Sequence, residues 1–173
     1  MNAKTHPVWE VYDALRTARY GAAYYVAMLS PVQRLNRWIE VTLAIFVPSS
    51  AIAALPVWTT NYGSIAWGVL VAVTAVICVA KPFLGWSEAM QLYEATITRY
   101  RTVESELDEI RSLTAQRQAY DQDLRARFAV AQRCLLRARE LEPREMQRKK
   151  LQDQIFDQIN KELPKESFFI PVE

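Results

Sequence analysis

The spacing of hydrophobic residues changes twice along this 173-residue chain and divides it into three parts. In residues 8–29, apolar side chains recur at three- and four-residue steps, which predicts an amphipathic helix. Pro7 suits its first turn, and Ser30-Pro31 predicts its end. The stripe consists of Val8, Val11, Tyr12, Leu15, Ala18, Ala22, Tyr25 and Leu29. This helix is too charged to cross a membrane, so we expect it to lie on a membrane or against the polar part of the chain.

Residues 41–80 contain no Asp, Glu, Lys, Arg or His, although charged types make up 23% of the chain. A helix rises about 1.5 Å per residue, so about twenty apolar residues cross the hydrocarbon of a bilayer. The uncharged stretch divides into two such lengths, 41–58 and 64–80, joined by polar turn residues at 59–63. The pattern predicts a two-helix transmembrane hairpin, in preference to a buried helical pair in a soluble bundle.

Positive side chains flank this hairpin, with Arg34 and Arg37 before it and Lys81 after it. The connecting residues 59–63 carry no charge. The positive-inside rule therefore predicts that both termini are cytoplasmic and that the connection lies outside. Two free cysteines suit a reducing compartment.

After the hairpin, no proline occurs between Pro82 and Pro143, which predicts one long helix or a helical hairpin. Its apolar stripes are Trp86, Met90, Tyr93, Ile97, Tyr100, Val103, Leu107 and Ile110, then Tyr120, Leu124, Phe128, Ala131, Leu135 and Ala138. A shorter amphipathic helix follows Pro143, and the apolar tail 167–172 is expected to dock. Stripes of this length predict partner helices, and so a homo-oligomer, with a tetramer favoured.

The three parts together predict an all-α membrane protein. Residues 1–37 form a cytosolic or interfacial amphipathic helix, and residues 38–83 form the transmembrane hairpin. Residues 84–173 form a cytosolic, coiled-coil-like region for oligomerisation and ligand binding. The residue types argue against an enzyme, because the chain has one His, two Cys and four Gly and no glycine-rich phosphate loop. No metal site and no cofactor are expected.

The net charge of +2 hides an asymmetry, because residues 111–150 carry eleven basic and five acidic side chains. Arginine pairs with phosphate through two bonds and stacks on bases. Arg117 and Arg127 fall within the apolar stripe, where a cation needs a partner. Snorkelling of the two side chains, or ion pairs with Glu and Asp on a neighbouring helix, would explain them, and so would a polyanion held between helices. The second explanation predicts an oligonucleotide site made of Arg117, Arg125, Arg127, Arg133, Arg137 and Tyr120.

The first predicted span is rich in small and hydroxyl residues, and its Thr42 and Ser49 share one helix face. They are predicted to line a pore, with Glu40 at the cytoplasmic mouth. The alternative is that these small residues only pack helix against helix.

In its layout and in three stretches, the chain resembles the SLATT family, two-transmembrane effector domains associated with bacterial nucleotidyltransferase defence operons. The stretches are LRTARYGAAYY at 15–25, the uncharged hairpin, and FLGWSEA at 83–89 leading to YRTVESEL at 100–107. The resemblance covers roughly residues 8–115 and rests on architecture, because none of these residues is a catalytic signature.

The resemblance implies an anti-phage effector that oligomerises and permeabilises the bacterial inner membrane when infection changes a nucleotide signal. A partner nucleotidyltransferase would make that signal. In most such systems a cyclic oligonucleotide opens the effector, whereas in the Hailong type a short single-stranded DNA holds it closed. The alternative function is a non-conducting membrane scaffold that recruits a partner through its cytosolic helices.

Overall fold

The computed structural model describes residues 6–46, 61–80, 86–143 and 148–171. Within these residues the chain is helical and contains no strand, which confirms the all-α part of the prediction. The α-helices are α1 (Val8–Phe46), α2 (Asn61–Ala80), α3 (Trp86–Arg117), α4 (Gln122–Glu140) and α5 (Lys149–Glu162). A short 3-10 turn, Lys165–Ser167, follows α5.

The membrane part of the prediction is contradicted: of the helices that the structure describes, none combines the length and the apolar character needed to cross a bilayer. α2 begins with the polar sequence Asn61-Tyr62-Gly63-Ser64. Only about sixteen apolar residues follow, about 24 Å of helix against roughly 30 Å of hydrocarbon. Residues 41–46 of the other predicted span end the charged helix α1, and residues 47–58 lie outside the described residues. This finding overturns the two-span hairpin of residues 38–83 and the predicted placement in the bacterial inner membrane.

The predicted helix end at Ser30-Pro31 is also wrong, because α1 continues through it for 39 residues in all. A proline inside a helix has no N–H to donate to the carbonyl four residues earlier. Pro31 is exposed, so water can solvate that carbonyl. The lost hydrogen bond therefore does not end the helix.

The chain forms two compact units. The core unit comprises Met1–Met28 and Leu92–Glu173, and the inserted unit comprises Leu29–Gln91. The first half of α1 therefore belongs to the core unit together with most of α3 and all of α4 and α5. The inserted unit contains the second half of α1, α2 and the first turns of α3.

In the core unit, α3 and α4 form an antiparallel hairpin, one of the two arrangements that the sequence left open. Gln118 reverses the chain in a left-handed conformation, with φ of 52°. Asp121 then caps α4, because its side chain accepts a hydrogen bond of 2.9 Å from the Leu124 backbone N–H. An Asp four residues after a helix end is the local signal for this new start.

The predicted apolar stripes bury one another within this unit. Leu15 of α1, Leu107 of α3 and Leu124 of α4 have no exposed surface. The other buried members of the stripes are each under one tenth exposed: Val8, Val11, Tyr12, Ala18, Ala22, Tyr25, Tyr93, Ile97, Tyr100, Val103, Ile110, Tyr120, Phe128, Ala131, Leu135 and Ala138. One chain thus covers stripes that were expected to need partner chains. The homo-oligomer stays a prediction, but the buried stripes no longer provide an argument for it.

The C-terminal tail docks on the start of α1, as its apolar composition predicted. The Tyr12 hydroxyl donates a hydrogen bond to the Phe169 carbonyl oxygen. The Phe168 ring stacks on Tyr12, with ring centroids 4.0 Å apart, and Trp9 meets Phe168 edge-on at 6.2 Å. Burial raises the pKa of Tyr12, which keeps this hydroxyl a donor.

In the inserted unit, α2 exposes its apolar side chains. The exposed residues are Tyr62, Ile65, Val69, Val71, Val73, Val76 and Val79. A Cβ added at Gly68 would have no atom within 4 Å. α2 therefore has little side-chain packing within the described residues of its unit.

Candidate functional site

Arg117 and Arg127, the central residues of the predicted oligonucleotide site, lie beside the α3–α4 turn and contact carboxylates. Arg117 Nη1 is 2.6 Å from Asp121 Oδ2, and Arg127 Nη1 is 3.0 Å from Glu109 Oε1. Each guanidinium also lies 3.6 Å from Asp123 Oδ2. Their side chains are 41% and 48% exposed, so neither is a buried cation. The geometry is the ion pairing that the sequence offered as the alternative.

The contacts at this turn also shift the ionisation of its acid. The Leu124 backbone N–H and the Arg117 guanidinium hold the pKa of Asp121 below its ordinary value. The same pairing raises the pKa of Arg117. Asp121 therefore stays charged and serves both as a helix cap and as a counter-ion for the turn.

Arg125 and Tyr120 are brought together on another side of α4. The Arg125 guanidinium carbon lies 5.7 Å from the centroid of the Tyr120 ring, within cation–π distance. Tyr120 is buried, which raises its pKa, and the His6 ring contacts it at 6.5 Å. Little of this ring is left for stacking on a base, although Arg125 itself is exposed.

Four exposed arginines of α4 form a second group, which we call the α4 arginine face: Arg125, Arg133, Arg137 and Arg139. At 100° per residue, Arg125, Arg133 and Arg137 fall outside the buried stripe of α4, and Arg139 falls at the edge of that stripe next to Phe128. The four arginines extend over about 21 Å of helix. No carboxylate of a described residue forms an ion pair with any of them. The structure thus separates the predicted site into Arg117 and Arg127 at the turn and the other arginines on this face. Arg139 is an addition to the predicted set.

The predicted pore residues take up contacts within α1. The Thr42 hydroxyl donates to the Trp38 carbonyl oxygen at 2.8 Å, and Glu40 accepts a hydrogen bond of 3.0 Å from Asn36. Ser49 lies outside the described residues. Because the membrane hairpin is contradicted, these positions are not assigned to a pore.

A feature that the sequence did not predict is a cavity of about 190 Å³ in the core unit, which we call the tyrosine pocket. Its walls come from the first half of α1, from α3, from the end of α4 and the residues that follow it, and from α5. Five aromatic side chains line it: Tyr20, Tyr24, Tyr25, Tyr93 and Tyr100. Arg139 and Glu142 add one charge of each sign.

The tyrosine rings hold one another in place. Tyr25 lies nearly parallel to Tyr100, with centroids 6.1 Å apart and planes inclined by 18°. Tyr20 and Tyr24 form a similar pair at 6.1 Å and 14°. Tyr24 meets Tyr25 edge-on at 5.4 Å, so the two pairs are joined into one wall.

Glu142 contacts this wall through the Tyr100 hydroxyl group. The Tyr100 hydroxyl donates a hydrogen bond to Glu142 Oε1, and the same carboxylate contributes to raising the pKa of the neighbouring Tyr25 hydroxyl. Burial first, and the carboxylate second, raise the pKa of both tyrosines above the ordinary value of 10.0. Both hydroxyls are therefore protonated donors at neutral pH, which leaves Glu142 as the acceptor.

Gly21 allows Tyr100 to lie against α1. A Cβ at this position would come within 2.6–2.8 Å of three Tyr100 ring atoms. The glycine within an otherwise good helix was thus a signal of close packing that periodicity did not reveal. The pocket itself was missed because it needs Glu142 to come back beside Tyr100, 42 residues earlier in the chain.

No group of three or more His, Cys, Asp or Glu side chains is placed to hold a metal ion in the part of the chain that the structure describes. Cys78 is exposed and Cys134 half-buried, and both are free thiols. The chemistry that the described residues offer is ion pairing, stacking and hydrogen bonding.

Comparison with known proteins finds no matching family model, no similar curated protein and no similar solved structure. The resemblance to the SLATT family therefore rests only on the layout and stretches of this sequence. The function is inferred from the residues of the chain itself.

Proposed function

We propose that this chain is a non-enzymatic receptor that binds the phosphates of an oligonucleotide on the α4 arginine face. The observation that supports this function best is the contrast among its arginines. Arg117 and Arg127 share their charge with nearby carboxylates, whereas the arginines of the face are exposed and form no ion pair with a described residue. Only the second group can pair with phosphate without first giving up a carboxylate.

The shape of the face suits a linear polyanion. Its side chains extend over about 21 Å of helix, which is room for several phosphates of one strand. Guanidinium groups bind phosphate through two parallel hydrogen bonds, so a rigid helix can fix the register of a flexible strand. A short single strand matches this line of charge better than a compact cyclic ligand does.

The resemblance suggests the biological setting. We propose that a partner nucleotidyltransferase makes the oligonucleotide and that binding controls an anti-phage effector. The control would act through the core unit, because the buried stripe of α4 packs the helix that carries the α4 arginine face into that unit. Co-purification with the product of a neighbouring nucleotidyltransferase gene, followed by mass spectrometry of released nucleotides, tests this setting.

The binding test uses the full-length protein and a fluorescently labelled single-stranded DNA, with anisotropy measured from 50 to 200 mM salt. Each phosphate contact on a single strand contributes about 0.7 to the slope of log K against log salt. The double variant Arg133→Gln/Arg137→Gln is therefore expected to lower that slope by about 1.4 and to weaken binding most at low salt. An unlabelled cyclic dinucleotide, added as competitor, compares the two ligand forms.

The matched control is Arg117→Gln/Arg127→Gln, which removes the same charge from the ion-paired group. We expect a smaller change in slope, because these cations are already neutralised by carboxylates. Equal effects of the two double variants would contradict the role of the α4 arginine face. Absence of binding at 50 mM salt would reject an oligonucleotide receptor altogether.

The second candidate function is a scaffold that assembles copies of itself, and the exposed apolar side chains of α2 favour it. Large exposed apolar patches usually mark interaction sites. Light scattering on the purified chain tests it: a tetramer that Val69→Lys/Val76→Lys dissociates would support assembly through α2. A monodisperse monomer would reject both the scaffold and the predicted tetramer.

A further inference from the structure

The tyrosine pocket and the α4 arginine face share Arg139. We propose that the tyrosine pocket binds one guanine base of the oligonucleotide, with Glu142 accepting hydrogen bonds from the N–H edge of that base. This inference rests on the proposed function, because the phosphate next to the base would lie at Arg139. It adds what the arginines cannot supply, which is selection among bases.

The size and walls of the pocket suit a flat ring. Its volume is about 190 Å³, and a cavity of roughly 150 Å³ is already enough to hold benzene. Tyr20 is half-buried and leaves part of its ring accessible, whereas Tyr24, Tyr25 and Tyr100 are under one tenth exposed and line the cavity in the two nearly parallel pairs. Bases stack on aromatic side chains with little preference, so the walls favour a base without choosing which one.

The choice comes from Glu142. An ionised carboxylate only accepts hydrogen bonds and has about four lone-pair positions. Tyr100 donates to this side chain from the wall, which leaves positions for at least two more donors. A ligand that offers two adjacent N–H groups would satisfy them.

Guanine is the base with that edge, because its ring N–H lies next to its exocyclic amino group. Adenine and cytosine each place an acceptor nitrogen beside their amino group, and uracil and thymine flank their single N–H with two carbonyls. Glu142 is itself exposed, but those acceptors would still face its carboxylate without a proton between them, which is unfavourable.

Arg139 argues for a nucleotide over a simple cation. A tyrosine cage with a carboxylate would also suit an alkylammonium ion. Arg139 lines the same cavity and would repel such a cation, whereas it would attract a phosphate. A second groove of about 520 Å³ continues from Arg139 and Tyr20 to the exposed ring of Phe156, which leaves room for the rest of the strand.

Titration calorimetry of the full-length protein with GMP, AMP, CMP and UMP tests the base preference. A well-made bidentate contact discriminates against the wrong base by roughly 5- to 150-fold. We expect GMP to bind tighter than UMP by a factor in that range. Inosine monophosphate, which keeps the ring N–H but lacks the amino group, should be intermediate, and this comparison needs no change to the protein.

The test variant is Glu142→Gln, and the control is Glu140→Gln, which removes the same charge two residues earlier at an exposed position outside the pocket lining. We expect Glu142→Gln to bring GMP and UMP within about threefold of each other, and Glu140→Gln to leave the preference unchanged. Equal binding of the four nucleotides to the wild type would overturn the guanine site, as would a preference that survives Glu142→Gln. Labelled DNA measured on the same protein separates the two proposals. DNA binding without a base preference removes only the guanine site, and loss of DNA binding removes the α4 arginine face.

Discussion

The core unit and the inserted unit use apolar side chains in opposite ways. In the core unit, Leu15, Leu107 and Leu124 are completely buried, although the helices around them are rich in charge. In the inserted unit, Ile65 and Val76 of the more apolar helix α2 are each 67% exposed. The difference shows that burial depends on a stripe meeting a complementary stripe, and that hydrophobic content alone does not produce it.

The largest expected contrast between the units is in their response to truncation. Leu124→Ala should lower the free energy of unfolding of the core unit by about 2–5 kcal/mol, because it leaves a cavity between helices. The control, Val76→Ala in α2, should change stability by at most about 0.5 kcal/mol, since its side chain has little packing to lose. Urea unfolding followed by circular dichroism measures both. Similar losses from the two variants would mean that α2 is packed as tightly as α4.

The two glycines test the same contrast with the opposite change in size. Gly21→Ala should destabilise the core unit by about 1–3 kcal/mol, because the new methyl group would overlap the Tyr100 ring. Gly68→Ala should stabilise α2 by up to about 1 kcal/mol, because nothing opposes it and alanine favours helix. Thermal unfolding of the two variants should therefore shift in opposite directions. A stabilising effect at Gly21 would show that Tyr100 moves aside at little cost.

The sequence allowed prediction of the core unit because its signal is local. Apolar residues such as Leu107 recur every three or four positions along α3, and that periodicity indicates which face of the helix is buried. The prediction was wrong for α2, because the absence of charged residues was interpreted as a helix long and apolar enough to cross a bilayer. It also failed at Pro31, because exposure decides whether water can replace a lost helix hydrogen bond.

The candidate site was less predictable than the fold. Arg133 and Arg137 could be proposed from charge density, but their separation from Arg117 and Arg127 depends on which carboxylates lie nearby. The tyrosine pocket had no sequence signal, since it joins α1, α3 and Glu142 over long separations. Periodicity predicts which face of a single helix is buried. Prediction of a site formed by three elements also requires knowledge of how those elements pack together.

An alkaline titration sharpens the comparison with a smaller effect. Tyr25 and Tyr100 have raised pKa values in the folded core unit, so their neutral forms stabilise it fully below pH 10. Above that pH the unfolded chain loses these protons first, and stability should fall by on the order of 1 kcal/mol between pH 10 and 11. Urea unfolding at each pH measures this, and Tyr25→Phe/Tyr100→Phe should flatten the profile. An unchanged profile in that variant would assign the alkaline loss to other groups.

The smallest expected effect concerns ion pairs within the core unit. Arg127 and Glu109 are 48% and 63% exposed, so a double-mutant cycle to alanine should give a coupling of about 0.2–1 kcal/mol. The Arg19–Glu104 pair is 30% and 20% exposed and should couple more strongly. If the exposed pair couples more, burial would not be what controls polar contacts in this unit.

The docking of the tail on Tyr12 determines when folding can finish during synthesis. Tyr12 and Phe169 are 157 residues apart, so the tail can pack on the start of α1 only after almost the whole described chain has been translated. At about 5–20 residues per second, that interval is about 8–30 s. Throughout that interval, the apolar surface around Tyr12 stays uncovered on the nascent chain and accessible to chaperones, because the tail that covers it has not yet been made.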